Sequence, residues 1–293
     1  MLVNEFLQYL QYEKNYSSHT VLSYKNDIAQ FSLFLEKDFS ESDVSQASPE
    51  QLREWVVSLI GGGLTPRSVN RKLSALKSFF KYLIQKGDLK RNPTKNIILP
   101  KAKKPLPVFF KEKEVHTVLT DVIIGQSFEN YRDRLIIDLF YETGVRVSEL
   151  SNIKDTDIDK YTGTLRVLGK RNKERMIPIG KNLLQAVDQY IGIRDKEIQT
   201  KTSYLFVRKD GQKVYSRLIY NVVHKYMSQA SSLSKTSPHV LRHTFASTLL
   251  NNGADLNAVK ELLGHSNLAA TEVYTHTSFE QLQKIYKQAH PRA

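Results

Sequence analysis

The chain contains no cysteine among its 293 residues, which excludes disulfides, thiolate nucleophiles and cysteine-ligated zinc sites. No apolar run in it approaches the ~18 to 20 residues that are needed to span a bilayer. The first fifteen residues, MLVNEFLQYLQYEKN, contain early polar and acidic residues and no small-residue cleavage site, so they do not resemble a signal peptide. We therefore expect a cytoplasmic protein that has no membrane partner.

The patterns of several enzyme and cofactor classes are missing as well. None of the eight histidines lies in an H-E-x-x-H zinc motif, and no serine lies in a G-x-S-x-G hydrolase motif. The glycines at 61–63 lack the spacing of a phosphate-binding P-loop. The stretch DTDIDKYTG has Lys160 where a calcium loop requires glycine. We expect no metal ion and no cofactor.

Positive charge is what the chain has in excess. Its 43 lysines and arginines outnumber 30 acidic residues, which gives a net charge of +13. A basic surface gains free energy by releasing counterions from a phosphate backbone, so the charge favours a polyanionic partner. A soluble protein that is basic without such a partner is the alternative that composition leaves open. The charge is spread along the chain, so folded domains would carry the binding face.

The length and the apolar patterns predict two domains of a mainly α fold with a small β-sheet, an α+β arrangement. Residues 1–90 form a helical domain, 91–107 a basic, proline-rich linker, and 108–293 a mixed domain. In the mixed domain, TLRVLG and RMIPIG predict a β-hairpin, and YLFVRKDG is one further strand candidate.

Helical spacing predicts the buried and the charged faces of the first domain. The second helix, capped by Ser17 or Ser18, is expected to bury Val21, Leu22, Ile28, Phe31 and Leu35. The fourth begins at Thr65 and Pro66 and has one apolar face. Its opposite face is uniformly basic, which makes DNA binding as good an interpretation as a merely solvated face. The predicted DNA-binding residues are Arg67, Arg71, Lys72 and Lys77 on this helix and Lys101, Lys103 and Lys104 in the linker.

Several polar residues of the second domain are each weak indications of a site. His239 and Arg242 share one face of a helix that begins with Ser237 as its cap and Pro238, where free N–H groups favour anions. Taken alone, a histidine and an arginine at this spacing are usually a surface pair. The remaining candidates, which local pattern would leave as ordinary exposed or core residues, are Arg146, Lys170, His265 and Tyr274.

Four segments in a fixed order give these residues a common interpretation. They are TGVRVSEL, GKRNKERMIPIG, SPHVLRHTFASTLL and LLGHSNLAATEVYTH. Together they resemble the successive catalytic motifs of the tyrosine recombinase (phage integrase) family. Within it, the chain is most similar to the bacterial Xer-type chromosome-dimer resolvases. The resemblance covers nearly the whole chain, including a helical opening, the proline-rich linker and the terminal HPRA.

The resemblance implies a SAM-like core-binding domain followed by a catalytic domain. It implies that Tyr274 is the nucleophile and that the other catalytic residues are Arg146, Lys170, His239, Arg242 and His265. The amphipathic last helix, SFEQLQKIYKQA, has nothing after it to pack on, which predicts docking on a neighbouring subunit. Three departures from the family pattern are Arg171 in the hairpin, the alanines at 269 and 270, and the pair Tyr141 and Glu142.

The implied reaction cuts and rejoins DNA through a 3′-phosphotyrosyl intermediate without metal or ATP. The implied partners are a double-stranded recombination site, a tetramer of this chain or with a paralogue, and an accessory DNA translocase. Resolution of chromosome dimers at cell division is the function expected of this type. An integrase of a mobile element and a non-catalytic DNA-binding protein are the alternatives.

Overall fold

The computed structural model describes residues 2–101, 108–169, 173–199, 202–264 and 279–292. It divides the chain into two compact units, Met1–Pro105 and Leu106–Ala293. Helices dominate both units, and a small sheet lies in the second, so the predicted fold class is confirmed. In the part of the chain that is described, no helix has the length and apolar character to cross a bilayer.

The first unit is built from helices whose ends follow local sequence. They are α1 (Leu2–Gln8), which continues as a π-helical turn (Tyr9–Glu13), α2 (Ser18–Phe39), α3 (Pro49–Gly61) and α4 (Pro66–Lys86). Ser17 caps α2 by accepting from the Thr20 N–H, and Thr65 caps α4 by accepting from the Ser68 N–H. Pro66 occupies the first turn of α4, as predicted.

One predicted core position of α2 is wrong. Ile28, Phe31 and Leu35 are buried as expected, but Leu22 is 55% exposed. The buried positions recur every three or four residues, which is one stripe of an α-helix. Leu22 lies off that stripe, on the same side as Leu33, which is also exposed.

Lys72 was predicted to lie on the exposed basic face of α4, and this prediction is also wrong. It follows Val69 by three residues and is only 6% exposed. Its ammonium lies 3.1 Å from Oδ1 of the buried Asp27 on α2 and also bonds Gln30. Arg71 completes the network, its Nη2 donating to Asp27 Oδ1 at 2.9 Å. Lys72 therefore joins α4 to α2 and is not available to DNA.

The second unit surrounds helix α6. Its helices are α5 (Glu112–Thr117), which runs into a π-helical turn (Val118–Val122), α6 (Phe128–Thr143), α7 (Val147–Leu150), α8 (Lys181–Glu197), α9 (Ser216–Ala230), α10 (Pro238–Asn251), α11 (Leu256–Leu263) and α12 (Phe279–Ala289). Every residue from Leu135 to Thr143 is buried, because α8, α9 and α10 all pack on α6. This central helix ends at Gly144.

The sheet contains the predicted hairpin. Strand β1 (Ile158–Asp159) pairs with β2 (Thr164–Leu168), and β2 pairs antiparallel with β3 (Glu174–Pro178). The third strand candidate, YLFVRKDG, is wrong. It makes only isolated bridges, and three successive residues, Leu205 to Val207, are buried instead of alternating. Its backbone bonds loop residues such as Ile153, so burial exists without a ladder.

The last helix packs on its own chain. Leu282, Tyr286 and Ala289 of α12 are buried in one cluster with Phe245 of α10 and Leu262 of α11. Arg292, three residues after α12, forms an ion pair with Asp138 of α6. The expectation that α12 lacks a surface in its own chain is therefore wrong, while docking on a neighbouring subunit stays a prediction.

Replacing Asp27 by asparagine tests the buried network of the first unit. The change leaves the Lys72 ammonium buried without its carboxylate, and breaking such a pair costs about 3 kcal/mol or more. Urea unfolding of Asp27→Asn should therefore show a clearly lower midpoint. Glu50→Gln, which breaks an ion pair between exposed Glu50 and Arg53, is the control and should unfold like the wild type. Equal midpoints for both variants would contradict the assignment.

A second prediction concerns Glu142, the buried acid beside Arg292. Glu142 is fully buried, and burial, reinforced by Asp138, raises its pKa above the ordinary carboxyl range. The folded protein thus holds the proton more tightly than the unfolded chain, so stability falls as pH rises through and above that range. Glu142→Gln should flatten this fall and have a higher Tm than the wild type at about pH 8. A variant whose Tm falls as steeply with pH as that of the wild type would refute the assignment.

Candidate active site

A glycine bend at the end of α6 positions the first arginine. Gly144 adopts φ +58°, a conformation that favours glycine, and its N–H bonds the Phe140 carbonyl to close the helix. Arg146 follows at the N-cap of α7. Its Nη1 donates to Glu149 Oε1 at 2.7 Å and its Nη2 to the Gly264 carbonyl at 3.0 Å. The guanidinium is thus held between two elements, and the side chain as a whole is one quarter exposed.

Glu149 is the carboxylate around which the site is organised. Its side chain is 3% exposed and accepts from Arg146 and from both terminal nitrogens of Arg175, at 3.0 and 2.8 Å. Burial alone would raise the pKa of Glu149, but the bonds from Arg175 and from the Arg146 backbone outweigh it and lower the pKa to about 2. Glu149 is therefore an anion at neutral pH.

Helix α10 supplies the second arginine. Arg242 donates from Nη1 to the Gly144 carbonyl and from Nη2 to the Leu263 carbonyl at 2.6 Å. Burial, with the nearby charge of Arg146, lowers the pKa of Arg242 to about 10, so it is cationic at neutral pH. The site therefore places two cations in a partly desolvated region, an arrangement that favours an anionic ligand.

His239 lies one turn before Arg242 on α10, as the sequence predicts. Partial burial, followed by the positive charge of Lys235 and Arg242, lowers the pKa of His239. The neutral imidazole is therefore favoured near neutral pH. Ser237 occupies the predicted N-cap position, but its hydroxyl is buried and caps no N–H among the described residues, so that detail is corrected.

Three arginines meet at the C-terminal end of α11. Arg175 Nε donates to the Leu262 carbonyl at 2.8 Å, Arg242 to Leu263, and Arg146 to Gly264. The last carbonyls of a helix lack partners within the helix and carry the negative end of its dipole. Three guanidinium groups therefore hold the last described residues before the segment that contains His265 and Tyr274.

Three of the six predicted catalytic residues, Lys170, His265 and Tyr274, lie outside the described residues, and so do Lys103 and Lys104. The structure brings Arg146 and Arg242 together and places His239 on the same helix as Arg242. Of the predicted DNA-binding residues, Arg67, Arg71, Lys77 and Lys101 are exposed. Within the described ranges, no three histidine and carboxylate side chains are arranged to hold a metal ion.

Glu149 and Arg175 are the site residues that sequence reasoning missed. Glu149 stands three residues after the N-cap of α7, and its Oε2 accepts from the Arg146 N–H at 2.8 Å, a capping-box position that could have been read from sequence. Arg175 lies two residues before the buried Ile177 on β3 and so shares its inward face. An arginine on the inward side of a strand indicates a buried acceptor.

Both units match family models. Residues 3–87 match the phage integrase N-terminal SAM-like domain, and residues 109–281 match the phage integrase family. The chain belongs to the phage integrase family, and it is a site-specific tyrosine recombinase of the Xer type. The resemblance and the two-part family organisation expected from sequence are confirmed.

Individual relatives extend over the same length. The tyrosine recombinase XerC of Staphylococcus aureus (strain USA300 / TCH1516) is 41% identical, over 98% of this chain and 96% of the relative. That of Chlorobaculum tepidum is 35% identical, over 99% and 94%. The crystal structure of the XerH recombinase bound to difH substrate has a TM-score of 0.70 and 23% identity, covering 97% of this chain and 93% of that chain. At 23% identity, the match with XerH shows a similar fold and nothing more.

The bend at Gly144 can be tested against a second glycine cap. A Cβ at position 144 would lie 2.5 Å from Phe245 Cδ1, whereas a Cβ at Gly87, which caps α4 with φ +90°, meets no atom within 4 Å. Both alanine variants carry backbone strain of about 1 kcal/mol. Gly144→Ala must also move Phe245 and the carbonyl that Arg242 binds, so it should cleave DNA much more slowly even when folded. Gly87→Ala should lose only stability, and equal cleavage by both variants would contradict this role.

Proposed function

We propose that Arg146, Lys170, His239, Arg242, His265 and Tyr274 form one active site, in which Tyr274 attacks a DNA phosphodiester. The observation that carries the proposal is the convergence of Arg146 and Arg242 on the end of α11. Tyr274 follows Gly264 by ten residues in the chain. The arginines reach this point from separate helices, α7 and α10, so the fold, and not one local motif, assembles the pair.

The two arginines suit a phosphoryl transfer that uses no metal ion. A guanidinium is permanently charged and can donate two parallel bonds to phosphate oxygens. Stabilisation of the transition-state charge by a positioned arginine is worth roughly 10³ to 10⁵ in rate. In the free protein, Arg242 donates to the neutral carbonyls of Gly144 and Leu263. Charge-assisted bonds to a scissile phosphate are stronger, so DNA would compete successfully for these donors.

Proton transfer completes the proposed reaction. The Tyr274 oxygen bonds to phosphorus while the bond to the 5′-oxygen breaks, leaving a 3′-phosphotyrosyl link and a 5′-hydroxyl. An unperturbed tyrosine has a pKa of about 10, and the positive site favours its phenolate. His239, neutral because its pKa is lowered, and His265 are suited to accept the phenol proton. Lys170 donates a proton to the leaving 5′-oxygen, and attack by a second 5′-hydroxyl reverses the step.

The proposed substrate is a double-stranded recombination site. The related XerH recombinase was solved bound to a difH substrate, which supports a DNA partner for this chain. Arg67 and Lys77 are exposed on one side of α4, and Arg71 is about half exposed beside them. We assign phosphate contacts to these three residues and to Lys101, Lys103 and Lys104. Such contacts fix the enzyme on DNA without reading sequence.

The biological setting belongs to the same proposal. Resolution of chromosome dimers at cell division fits a cytoplasmic Xer-type recombinase that acts as a tetramer of this chain or with a paralogue. The relatives named XerC support this setting. An accessory DNA translocase would then license strand exchange.

A nicked suicide substrate tests the nucleophile. Incubated with EDTA, the wild type should form a covalent protein–DNA adduct, because the proposed reaction needs no divalent metal. Tyr274→Phe lacks the attacking oxygen and should form none. Tyr161→Phe is the matched control, since Tyr161 is 99% exposed at a turn, and it should react like the wild type. An adduct that survives Tyr274→Phe, or that requires magnesium, would overturn the proposed mechanism.

A further inference from the structure

All three nitrogens of the Arg175 guanidinium donate hydrogen bonds within the candidate active site. Its Nη1 and Nη2 donate to the two oxygens of Glu149 at 3.0 and 2.8 Å, and its Nε donates to the Leu262 carbonyl at 2.8 Å. The side chain is 11% exposed. An arginine buried on two acceptors at once has little freedom to reach a substrate, so its role must lie in what it holds.

We infer that Arg175 is a positioning residue that keeps Arg146 available to the scissile phosphate by occupying Glu149. This inference rests on the proposed role of Arg146. Each Glu149 oxygen is shared: Oε1 accepts from Arg175 Nη1 and Arg146 Nη1, and Oε2 accepts from Arg175 Nη2 and the Arg146 N–H. Arg146 therefore contacts the carboxylate through one guanidinium nitrogen only, and its Nη2 is directed to Gly264 instead.

Without Arg175, half of the acceptor sites of Glu149 are open. A carboxylate and a guanidinium prefer the bidentate arrangement, and Glu149 can reach it by rotating toward Arg146. That pairing would engage both terminal nitrogens of Arg146 and withdraw them from phosphate. Arg175 thus holds the carboxylate in the orientation that leaves one end of Arg146 for an anion.

The same guanidinium fixes the end of α11. A Cβ on Gly264 would lie 3.1 Å from Arg175 Nη1 and 3.3 Å from its Cδ, so the backbone passes directly against this side chain. Arg175 lies on β3, opposite Val167 of β2, and Lys170 falls between these two strands in the sequence. One side chain thereby joins the hairpin, the α7 carboxylate and the chain that leads to His265.

Electrostatics agree with this geometry. The groups that face Glu149 are Arg146 at the start of α7, Arg175 on β3 and Arg242 on α10. Removing the bonds from Arg175 removes the largest influence that lowers the pKa of Glu149. Glu149 would then protonate at a higher pH than in the wild type, and its pairing with the Arg146 guanidinium would weaken as the pH falls.

The test compares Arg175→Gln and Arg175→Lys with Arg166→Gln in the full-length chain. Arg166 is a matched control because it lies on the neighbouring strand β2 with its guanidinium exposed and paired to Asp157. Single-turnover adduct formation on the suicide substrate and DNA affinity by fluorescence anisotropy are measured for each. We expect Arg175→Gln to bind DNA within about 3-fold of the wild type and to cleave about 100-fold more slowly. Arg175→Lys should fall between, and Arg166→Gln should match the wild type.

Two readouts separate positioning from a structural role. The ratio of the Arg175→Gln to the wild-type cleavage rate should rise as pH is lowered, because protonation of Glu149 in the variant breaks its bidentate pairing with Arg146 and frees Arg146 for phosphate. The double variant Arg175→Gln, Glu149→Gln should be no slower than the slower single variant, because both changes disrupt one unit. If Arg175→Gln fails to fold, Arg175→Lys carries both comparisons.

Three outcomes would overturn the inference: cleavage by Arg175→Gln or Arg175→Lys at the wild-type rate, parallel loss of Tm, affinity and rate, or multiplicative effects of the two single changes. They are distinct from failure of the proposed active site. If Tyr274→Phe still forms an adduct, the proposed nucleophile is wrong whatever Arg175 does. If the adduct depends on Tyr274 but not on Arg175, only the positioning role is lost.

Discussion

The geometry of the candidate active site in the second unit depends on one buried carboxylate, Glu149, that two arginines share. Glu149 accepts a bond from Arg146 and a bond from Arg175 on each of its oxygens. A buried carboxylate is costly unless it is fully paired, so this sharing fixes the relative positions of α7 and β3. Arg175 then carries the constraint to α11 through the Leu262 carbonyl. Three segments far apart in the chain are held by one acid, and the geometry of Arg146 follows from it.

That carboxylate does not balance the charge that surrounds it. Arg146, Arg175 and Arg242 bring three positive charges against one, and burial together with the charge of Arg146 lowers the pKa of Arg242. The carbonyls at the end of α11 accept one bond from each of these arginines, and a helix end with its negative dipole suits that task. Neutral carbonyls satisfy hydrogen bonds but do not neutralise charge. The arginines are therefore held in place while most of their positive charge stays uncompensated within the site.

The end of helix α6 contacts both Arg242 of this site and the last described residues of the chain. Its last turns contain Asp138 and Glu142, on which Arg292 rests, and Gly144, whose carbonyl Arg242 binds, follows Glu142 by two residues. Packing of α12 on α10 and α11 and the ion pair of Arg292 thus stabilise the same helix end that positions the arginines. Tyr141 and Glu142 depart from the family pattern at this place. The departure has a structural reason, because the Tyr141 ring packs edge-on against His290 and Glu142 lies beside Arg292.

Several features that depend on neighbours in the chain were predicted correctly, although the cap at Ser237 was not, and assignments that distant residues decide were wrong. The cap of α2 at Ser17, one of the two serines predicted, and the start of α4 at Thr65 and Pro66 are set within a few residues and are confirmed. Lys72 was misassigned because its partner, Asp27, lies on another helix, and a lysine beside arginines is locally indistinguishable from an exposed one. The order of motifs pointed to Arg146 and Arg242. It could not point to Arg175, whose significance comes from a carboxylate that stands in a different motif and meets it only in the folded chain.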